Sequence, residues 1–271
     1  MSRPVPPLPT FLIIGAQKSA TRWLRVNLGE HPDVFTADHE ISFFNNQRRV
    51  RRWGLEWYQR QFDSWDGQAV VGEATPGYMI WRHEPSAVAQ RIERNLPDVR
   101  LIALLRNPID RAESAMRHHV RRWRLPKRTK LTKVVKKKNP QIQRLGLIDG
   151  GLYAASLRPF VRRFGDRLLV LLHDDVSSNP RMVYRRSLLH VGAEASFVPP
   201  ALDEVVFSNR QPGAVTSDLT HEERCELWEY FRDDVKRLQK MIHRNLSIWD
   251  PNAQPVVRSN VGPVREVTRP S

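Results

Sequence analysis

The chain has 271 residues, and 44 Lys and Arg against 29 Asp and Glu give it a formal net charge of +15 at pH 7. This charge predicts an anionic partner: nucleic acid, an acidic glycan, an anionic lipid or a phosphorylated cofactor. The single cysteine, Cys225, excludes an internal disulfide and a thiolate-rich metal site. A chain of this length buries one large core, and α/β domains of this size are commonly single.

The sequence contains no run of roughly 18 apolar residues, the length that a membrane-spanning helix needs. Residues 1–9 form a proline-rich lead rather than a signal peptide with its charged, apolar and cleavage regions. We therefore expect a cytoplasmic protein. The predicted organisation is the lead at 1–9, a single domain over 10–249 and a loose tail over 250–271.

The first predicted strand runs into a short polar loop and then a helix. Apolar residues 11–14 precede Gly15, and apolar residues from Trp23 onwards recur at helical spacing. Free N–H groups and the positive end of the helix dipole make such a junction an anion site, and Lys18 and Arg22 add full charges. The nucleotide loop G-x-x-x-x-G-K-[ST] differs, because Ala20 replaces its second glycine and the lysine comes too early. Binding of ATP or GTP is therefore disfavoured.

This loop resembles the G-x-x-K-x-x-T-R loop of sulfotransferases that use 3′-phosphoadenosine 5′-phosphosulfate (PAPS). The resemblance is to the heparan sulfate 3-O- and N-sulfotransferase branch. It implies that the loop binds the 5′-phosphosulfate group and that Lys18 also takes part in catalysis. The matching residues are Gly15, Ala16, Gln17, Lys18, Ser19, Ala20, Thr21 and Arg22.

The resemblance continues through a histidine-proline turn at 31–32 to Glu40, which precedes the aromatic pair at 43–44. Glu40 aligns with the glutamate proposed as the catalytic base of the family. The alternative is a solvated loop carboxylate without a chemical role.

A second informative stretch is the short buried strand that ends in the turn Ala74-Thr75-Pro76-Gly77. Ligands gather where parallel strands end, so Glu73 and Thr75 are candidates for the wall of the site. Glycan-sulfating relatives carry a lysine where this chain has Ala74. Either another basic residue substitutes for that lysine, or the acceptor is handled differently.

The predicted strand over 99–105 ends at Arg106, and Pro108 suits the first turn of the helix that follows. Arg106 and Ser114 could together bind one phosphate through a charged fork and a hydroxyl. The pattern resembles L-R-[DN]-P-x-x-R-x-x-S, the 3′-phosphate site of the family. The alternative is an arginine that caps a turn, with a surface serine beyond it.

The segment over 117–146 is predicted as a basic loop or insertion, and its charges are densest over 117–144. It is either a solvated loop or a docking surface for an anionic acceptor or membrane headgroups. Nucleic acid is disfavoured as the partner because no nucleic-acid-binding motif accompanies the charge. His118 and His119 are loop residues or alternative bases.

Weaker matches complete the candidate site. Tyr153 belongs to a helix that resembles a family segment, and it either approaches the cofactor or packs in the core. Asn209 and Arg210 lie in a polar loop where family members close over the nucleotide. Asp174, at the end of a strand over 167–172, supplies the rival interpretation of a magnesium-dependent kinase.

The predicted fold is three-layer α/β, with a mainly parallel sheet of about four or five strands and helices on both faces. The resemblance implies a P-loop-like sulfotransferase fold and transfer of a sulfuryl group from PAPS, without a metal. The acceptor would be a hydroxyl, or less readily an amine, of a carbohydrate or glycolipid, and the product 3′-phosphoadenosine 5′-phosphate (PAP). The rivals are the kinase and a non-catalytic protein that binds polyanions.

Overall fold

The computed structural model describes residues 5–80, 83–137, 140–200, 202 and 219–253. Its centre is a five-stranded sheet with the order β2-β3-β1-β4-β5, and every neighbouring pair is parallel. This confirms the predicted parallel α/β sheet. The strands are β1 (Phe11–Gly15), β2 (Val34–Thr36), β3 (Val70–Ala74), β4 (Arg100–Leu105) and β5 (Leu168–Leu172).

Helices cover both faces of the sheet. The helices are α1 (Thr21–Gly29), α2 (Gln47–Arg52), α3 (Gly54–Gln59), α4 (Pro85–Asn95), α5 (Pro108–Arg121), α6 (Leu131–Val135), α7 (Pro140–Gln143), α8 (Tyr153–Phe164), α9 (His173–Ser178), α10 (Pro180–Val191), α11 (His221–Trp228) and α12 (Arg232–Ile242). One face packs against α4, α5, α8 and α12, and the other against α1, α9 and α10. The three-layer arrangement is therefore as predicted.

The central strand β1 shows why the apolar runs form a sheet that is buried on both sides. All five of its residues are buried, and its register pairs Phe11 with Gly72 on one side and with Arg100 on the other. The Phe11 ring occupies the space where a side chain at position 72 would begin. Because the strands are parallel, their carboxyl ends lie along one edge, and the loops after β1, β2, β3 and β4 meet there.

Several short elements have no clear signal in the sequence. They include strand β2 and helix α9, which begins directly after β5. Helix α2 is capped by Asn46, which accepts from the N–H of Arg49. Helices α11 and α12 are separated by a turn at residues 229–231, and Thr220 and Glu223 form a capping box at the start of α11.

The basic segment is less irregular than the prediction of a loop implies. Helix α5 continues to Arg121, and α6 and α7 follow within the segment. The charges are anchored because Leu125, Leu131 and Val134 are buried. Apolar residues at helical spacing thus hold the segment against the body.

The predicted lead and tail are described only in part. In the lead, Pro6 and Pro9 are buried, and the Gln59 side chain donates to the carbonyl of Pro6 at 2.6 Å. Of the tail, only residues 250–253 fall inside the described ranges. The helices within these ranges include none with the length and hydropathy needed to cross a membrane.

Candidate active site

The site is built on the loop between β1 and α1. Gly15 ends β1 against Met79, whose sulfur would lie 2.7 Å from a side-chain carbon at position 15. In the loop, Lys18 and Ala20 take left-handed backbone conformations, with φ of 71° and 65°. Left-handed residues that alternate with other conformations along a loop turn successive backbone N–H groups towards one point, which favours anion binding.

The start of helix α1 is open. Ala20 occupies the N-cap position and has no side-chain oxygen, so no side chain caps the first N–H groups. Thr21 is buried and Arg22 is exposed beside it. Uncapped N–H groups and the helix dipole therefore face an anion-sized space at the carboxyl edge of the sheet.

Lys18 lies in a strongly positive environment. Burial lowers its pKa from the usual lysine value, and Arg121, Arg106 and Arg111 lower it further, in that order. Glu40 acts in the opposite direction as the weakest of these influences. Because several cations meet here with one opposing carboxylate, a bound anion would relieve their mutual repulsion.

Arg106 and Tyr153 tie the loop to its neighbours. The Arg106 guanidinium donates to the carbonyl of Lys18 at 3.3 Å, and the Tyr153 hydroxyl donates to the carbonyl of Arg106 at 2.9 Å. Tyr153 is buried, and its burial raises the pKa of its hydroxyl. The structure thus brings the end of β4, the loop and the start of α8 together, with Tyr153 packed in the core.

One face of helix α5 adds further polar and cationic side chains to those around Lys18. Arg111, Ser114, His118 and Arg121 follow one another at intervals of three or four residues and so share a helix face. Burial and the nearby Lys18 lower the pKa of His118, which keeps its imidazole neutral at neutral pH. Ser114 is buried within this stripe.

Arg111 is a buried cation that was not among the predicted site residues, although it fills the second arginine position of the 3′-phosphate pattern. Its Nη2 donates to the carbonyl of Gly146 at 2.9 Å and also to that of Leu147. Burial lowers its pKa. Its place at i−3 from Ser114 was the signal available in the sequence.

Two cavities border the loop. One, of about 240 Å³, is lined by Thr21, Arg22 and Glu40. The other, of about 50 Å³, is lined by Ala16, Gln17 and residues of α5 and the following turn. Pro76 lines both, so the cavities meet at the turn after β3.

Glu40 stands in the wall of the larger cavity, within reach of the cations of the loop. Its partial withdrawal from water raises its pKa, whereas Arg25 and Lys18 pull the pKa down. Arg25 is held by a bond from its guanidinium to the carbonyl of Ala37 at 2.9 Å. Arg25 was missed from the sequence, although its position one helical turn after Thr21 places it on the same face of α1.

Ala74 lines this cavity together with Arg22 and Arg25. The position that is lysine in glycan-sulfating relatives therefore adds no charge here. Two guanidinium groups of α1 line the same space.

Glu73 and Thr75 lie behind the wall rather than on it, which corrects the prediction. Glu73 is fully buried and accepts three bonds, from the hydroxyls of Tyr58 at 3.2 Å, Tyr78 at 2.5 Å and Thr75 at 2.6 Å. Burial raises the pKa of Glu73 to about 7, against the effect of these donors. The N–H of Ser42 donates to the Thr75 hydroxyl at 3.1 Å, so the network reaches the loop that carries Glu40.

The structure gives the remaining candidate residues other contacts, or does not describe them. His119 is buried, and its Nε2 bonds to the carbonyl of Leu145 at 3.0 Å, which occupies that ring nitrogen. Asp174 accepts from the indole of Trp249 at 3.0 Å, and this bond ties α9 to the C-terminal segment. Asn209 and Arg210 lie outside the described residues.

Comparisons with known proteins agree with this geometry. A family profile described as "Sulfotransferase domain" matches residues 8–239. The mouse heparan sulfate glucosamine 3-O-sulfotransferase 3B1 is 31% identical over 188 residues, which cover 66% of this chain and 45% of that protein. The membrane-associated sulfotransferase kil1 of Dictyostelium discoideum is 37% identical over 113 residues, which cover 40% of this chain and 22% of that protein. The chain spans less than half the length of these curated relatives.

A crystal structure of a sulfotransferase from Alicyclobacillus acidocaldarius superposes with a TM-score of 0.73 at 28% identity. The superposition covers 90% of this chain and 99% of that one. The sheet order, the loop after β1 and the extent of the family match lead to one conclusion. The chain belongs to the sulfotransferase domain family and has its P-loop-like fold.

Proposed function

We propose that this protein is a PAPS-dependent sulfotransferase, which transfers a sulfuryl group to a hydroxyl, or less readily an amine, of a carbohydrate or glycolipid acceptor. The observation that carries the proposal is the meeting of Lys18, Arg106, Arg111 and Arg121 at the uncapped start of α1. Anionic phosphate and sulfate groups fit such a place, because cations and backbone N–H groups converge there.

The residues present fit the two anionic ends of PAPS. Loop residues 15–22 would hold the 5′-phosphosulfate, and Arg106 with Ser114 would hold the 3′-phosphate. When bound, PAPS supplies a sulfuryl group on a phosphate that leaves as part of PAP. Lys18 would stabilise negative charge on that phosphate. Preorganised charge of this kind commonly contributes a factor of about a hundred or more in rate.

Glu40 would accept the proton of the acceptor group. Its position in the wall of the larger cavity supports this role, since the cavity has room for part of an acceptor beside the start of α1. Arg22 and Arg25 would supply the positive charge that Ala74 lacks. The mouse relative's name specifies a heparan sulfate glucosamine, which favours a carbohydrate acceptor for this chain as well.

The proposal is tested by calorimetric titration with PAP, AMP and ATP, without added metal. The wild type should bind PAP more tightly than AMP, since only PAP has a 3′-phosphate. Arg106→Ala should weaken PAP binding about tenfold to a hundredfold and leave AMP binding nearly unchanged. The matched control is Arg100→Ala, which removes an exposed arginine from the other end of the same strand.

An equal loss of PAP and AMP affinity in Arg106→Ala would reject the 3′-phosphate assignment. ATP binding that requires magnesium, without PAP binding, would support the kinase instead. If none of the three nucleotides binds, a polyanion-binding protein becomes the better interpretation.

A further inference from the structure

A second concentration of charge lies just beyond the site, in the turn that follows α5. Residues 117–144 contain 12 Lys and Arg and no Asp or Glu. Within this segment, the eight residues 121–128 form what we name the basic-indole turn. It consists of Arg121, Arg122, Trp123, Arg124, Leu125, Pro126, Lys127 and Arg128.

Within the part of the chain that the structure describes, the cations of the basic-indole turn lack acidic partners. Elsewhere in the segment, Arg117 pairs with Glu113, Lys130 with Glu223 and Lys136 with Glu226. The five cations of the turn are exposed, and none forms an ion pair with a described carboxylate. Apart from Arg121, which also lies near Lys18 in the candidate site, their charge is therefore available to an external anion.

Trp123 is the unusual member of the turn. It is 81% exposed and has a left-handed backbone with φ of 56°. A bulky residue rarely takes this conformation, and an exposed indole gains little from the core. Neither packing nor local backbone preference accounts for a tryptophan here, so the position points to a role at a surface.

The turn is nevertheless well anchored. Leu125 is buried, and the N–H of Trp123 donates to the carbonyl of Val120 at 3.0 Å. The Thr129 hydroxyl donates to the carbonyl of Pro126 at 2.6 Å, and the Lys127 ammonium lies 5.5 Å from the centre of the Trp123 ring. The turn thus presents the indole with cations around it on a fixed base.

We propose that the basic-indole turn docks this protein on the surface of an anionic lipid bilayer. The Trp123 indole enters the interface, and the surrounding cations contact the headgroups. An indole among lysines and arginines matches the bilayer surface, where anionic headgroups adjoin an apolar layer. A soluble polyanion offers the charge without that layer. This docking is independent of the proposed sulfuryl transfer.

The test is sedimentation of the full chain with phosphatidylserine-containing vesicles and with pure phosphatidylcholine vesicles. The wild type should bind the anionic vesicles, lose that binding as salt rises, and bind the neutral vesicles weakly. Lys127→Glu with Arg128→Glu should weaken binding to the anionic vesicles about 30-fold or more. The matched control, Lys236→Glu with Lys240→Glu on α12, makes the same change in net charge and should have a much smaller effect.

Trp123→Asn separates a bilayer from other anions. Asparagine tolerates a left-handed backbone, so the thermal stability of the folded protein should not fall. Vesicle binding should fall about tenfold or more, because the apolar contribution of the indole is lost. The blue shift of tryptophan fluorescence on vesicles should also shrink.

Two results would overturn the docking proposal. The first is wild-type binding to soluble heparin without binding to anionic vesicles, which would make the turn a polyanion surface. The second is unchanged vesicle binding in both Trp123→Asn and the charge-reversed pair. PAP affinity, measured alongside, should stay unchanged in all these variants, which keeps this test separate from that of the proposed function.

Discussion

At the scale of single residues, charge placement decides what the site can do. Lys18 is a cation suited to a phosphate, and burial and three arginines lower its pKa. Burial raises the pKa of Glu40, whereas Arg25 and Lys18 act against that rise. The site thus places a cation beside a carboxylate that burial makes a better proton acceptor.

Glu40→Gln should preserve PAP affinity within about twofold and lower the rate of sulfuryl transfer roughly a hundredfold to ten-thousandfold. Glutamine retains the shape of the side chain but cannot accept a proton at neutral pH. Transfer is measured with PAPS and an acceptor found by screening, and PAP affinity by calorimetry. In the wild type, activity should fall at acid pH as Glu40 becomes protonated.

The matched control for Glu40 is Asp38→Asn, which neutralises another carboxylate in the same cavity. The Asp38 side chain is exposed and bonded to His39 at 2.6 Å, so its loss should cost little activity. Retained transfer in Glu40→Gln with loss in Asp38→Asn would assign the base to Asp38.

At the scale of elements, the loop that carries Glu40 depends on the end of β3. Ser42 has a left-handed backbone with φ of 53°, and its N–H reaches the Thr75 hydroxyl, which in turn bonds to Glu73. The buried carboxyl therefore helps to set the position of a loop in which Glu40 itself is exposed. Such a role is invisible in the sequence, where Glu73 and Glu40 are separated by a helical region.

Glu73→Gln should show a stability difference from the wild type that changes with pH. The pKa of Glu73 is raised to about 7 from a usual 4.5, so the folded state holds the proton more tightly than the unfolded state. The stabilising contribution of this proton is full below the unfolded pKa and is lost as pH rises through the folded pKa. Across that range the free energy of unfolding should fall by about 3 kcal/mol in the wild type relative to Glu73→Gln.

The measurement is chemical denaturation of both proteins at a series of pH values. Glutamine cannot titrate, so any constant cost of the substitution cancels in the pH dependence. Glu56→Gln, which neutralises an exposed carboxylate on α3, should track the wild type. A difference between Glu73→Gln and the wild type that does not vary with pH would show that the pKa of Glu73 is the same in the folded and unfolded states.

The limits of sequence-based prediction are also visible at this scale. The strands with continuous apolar runs and the helix after Pro108 were predictable, because burial on both faces and helix-start chemistry leave local signals. Strand β2 has only three residues, and its position is set by pairing with β3. The loop motif predicted Lys18, and the strand-end pattern contains Arg111. That Arg111 and Arg121 lie near Lys18, however, follows only from the packing of α5 beside the loop. Proximity between distant segments has no local signature.

At the scale of the whole molecule, a net charge of +15 raises the free energy of the folded state through self-repulsion. Any anion relieves part of this repulsion, so stabilisation by salt alone does not identify a site. A specific ligand differs from salt, because its stabilising effect depends on a single binding site. Thermal unfolding with and without PAP, at constant ionic strength and without added metal, separates the two effects.

PAP at about a hundred times its Kd should stabilise the wild type by about 2.7 kcal/mol. For a chain of this size the melting temperature should rise by about 5 °C. Lys18→Ala should lose most of this rise, because the cation at the loop is gone, while its response to sodium chloride should equal that of the wild type. Lys236→Ala, which removes the same charge from the exposed face of α12, should keep both responses. Equal PAP shifts in Lys18→Ala and the wild type would mean that Lys18 does not contribute to PAP binding.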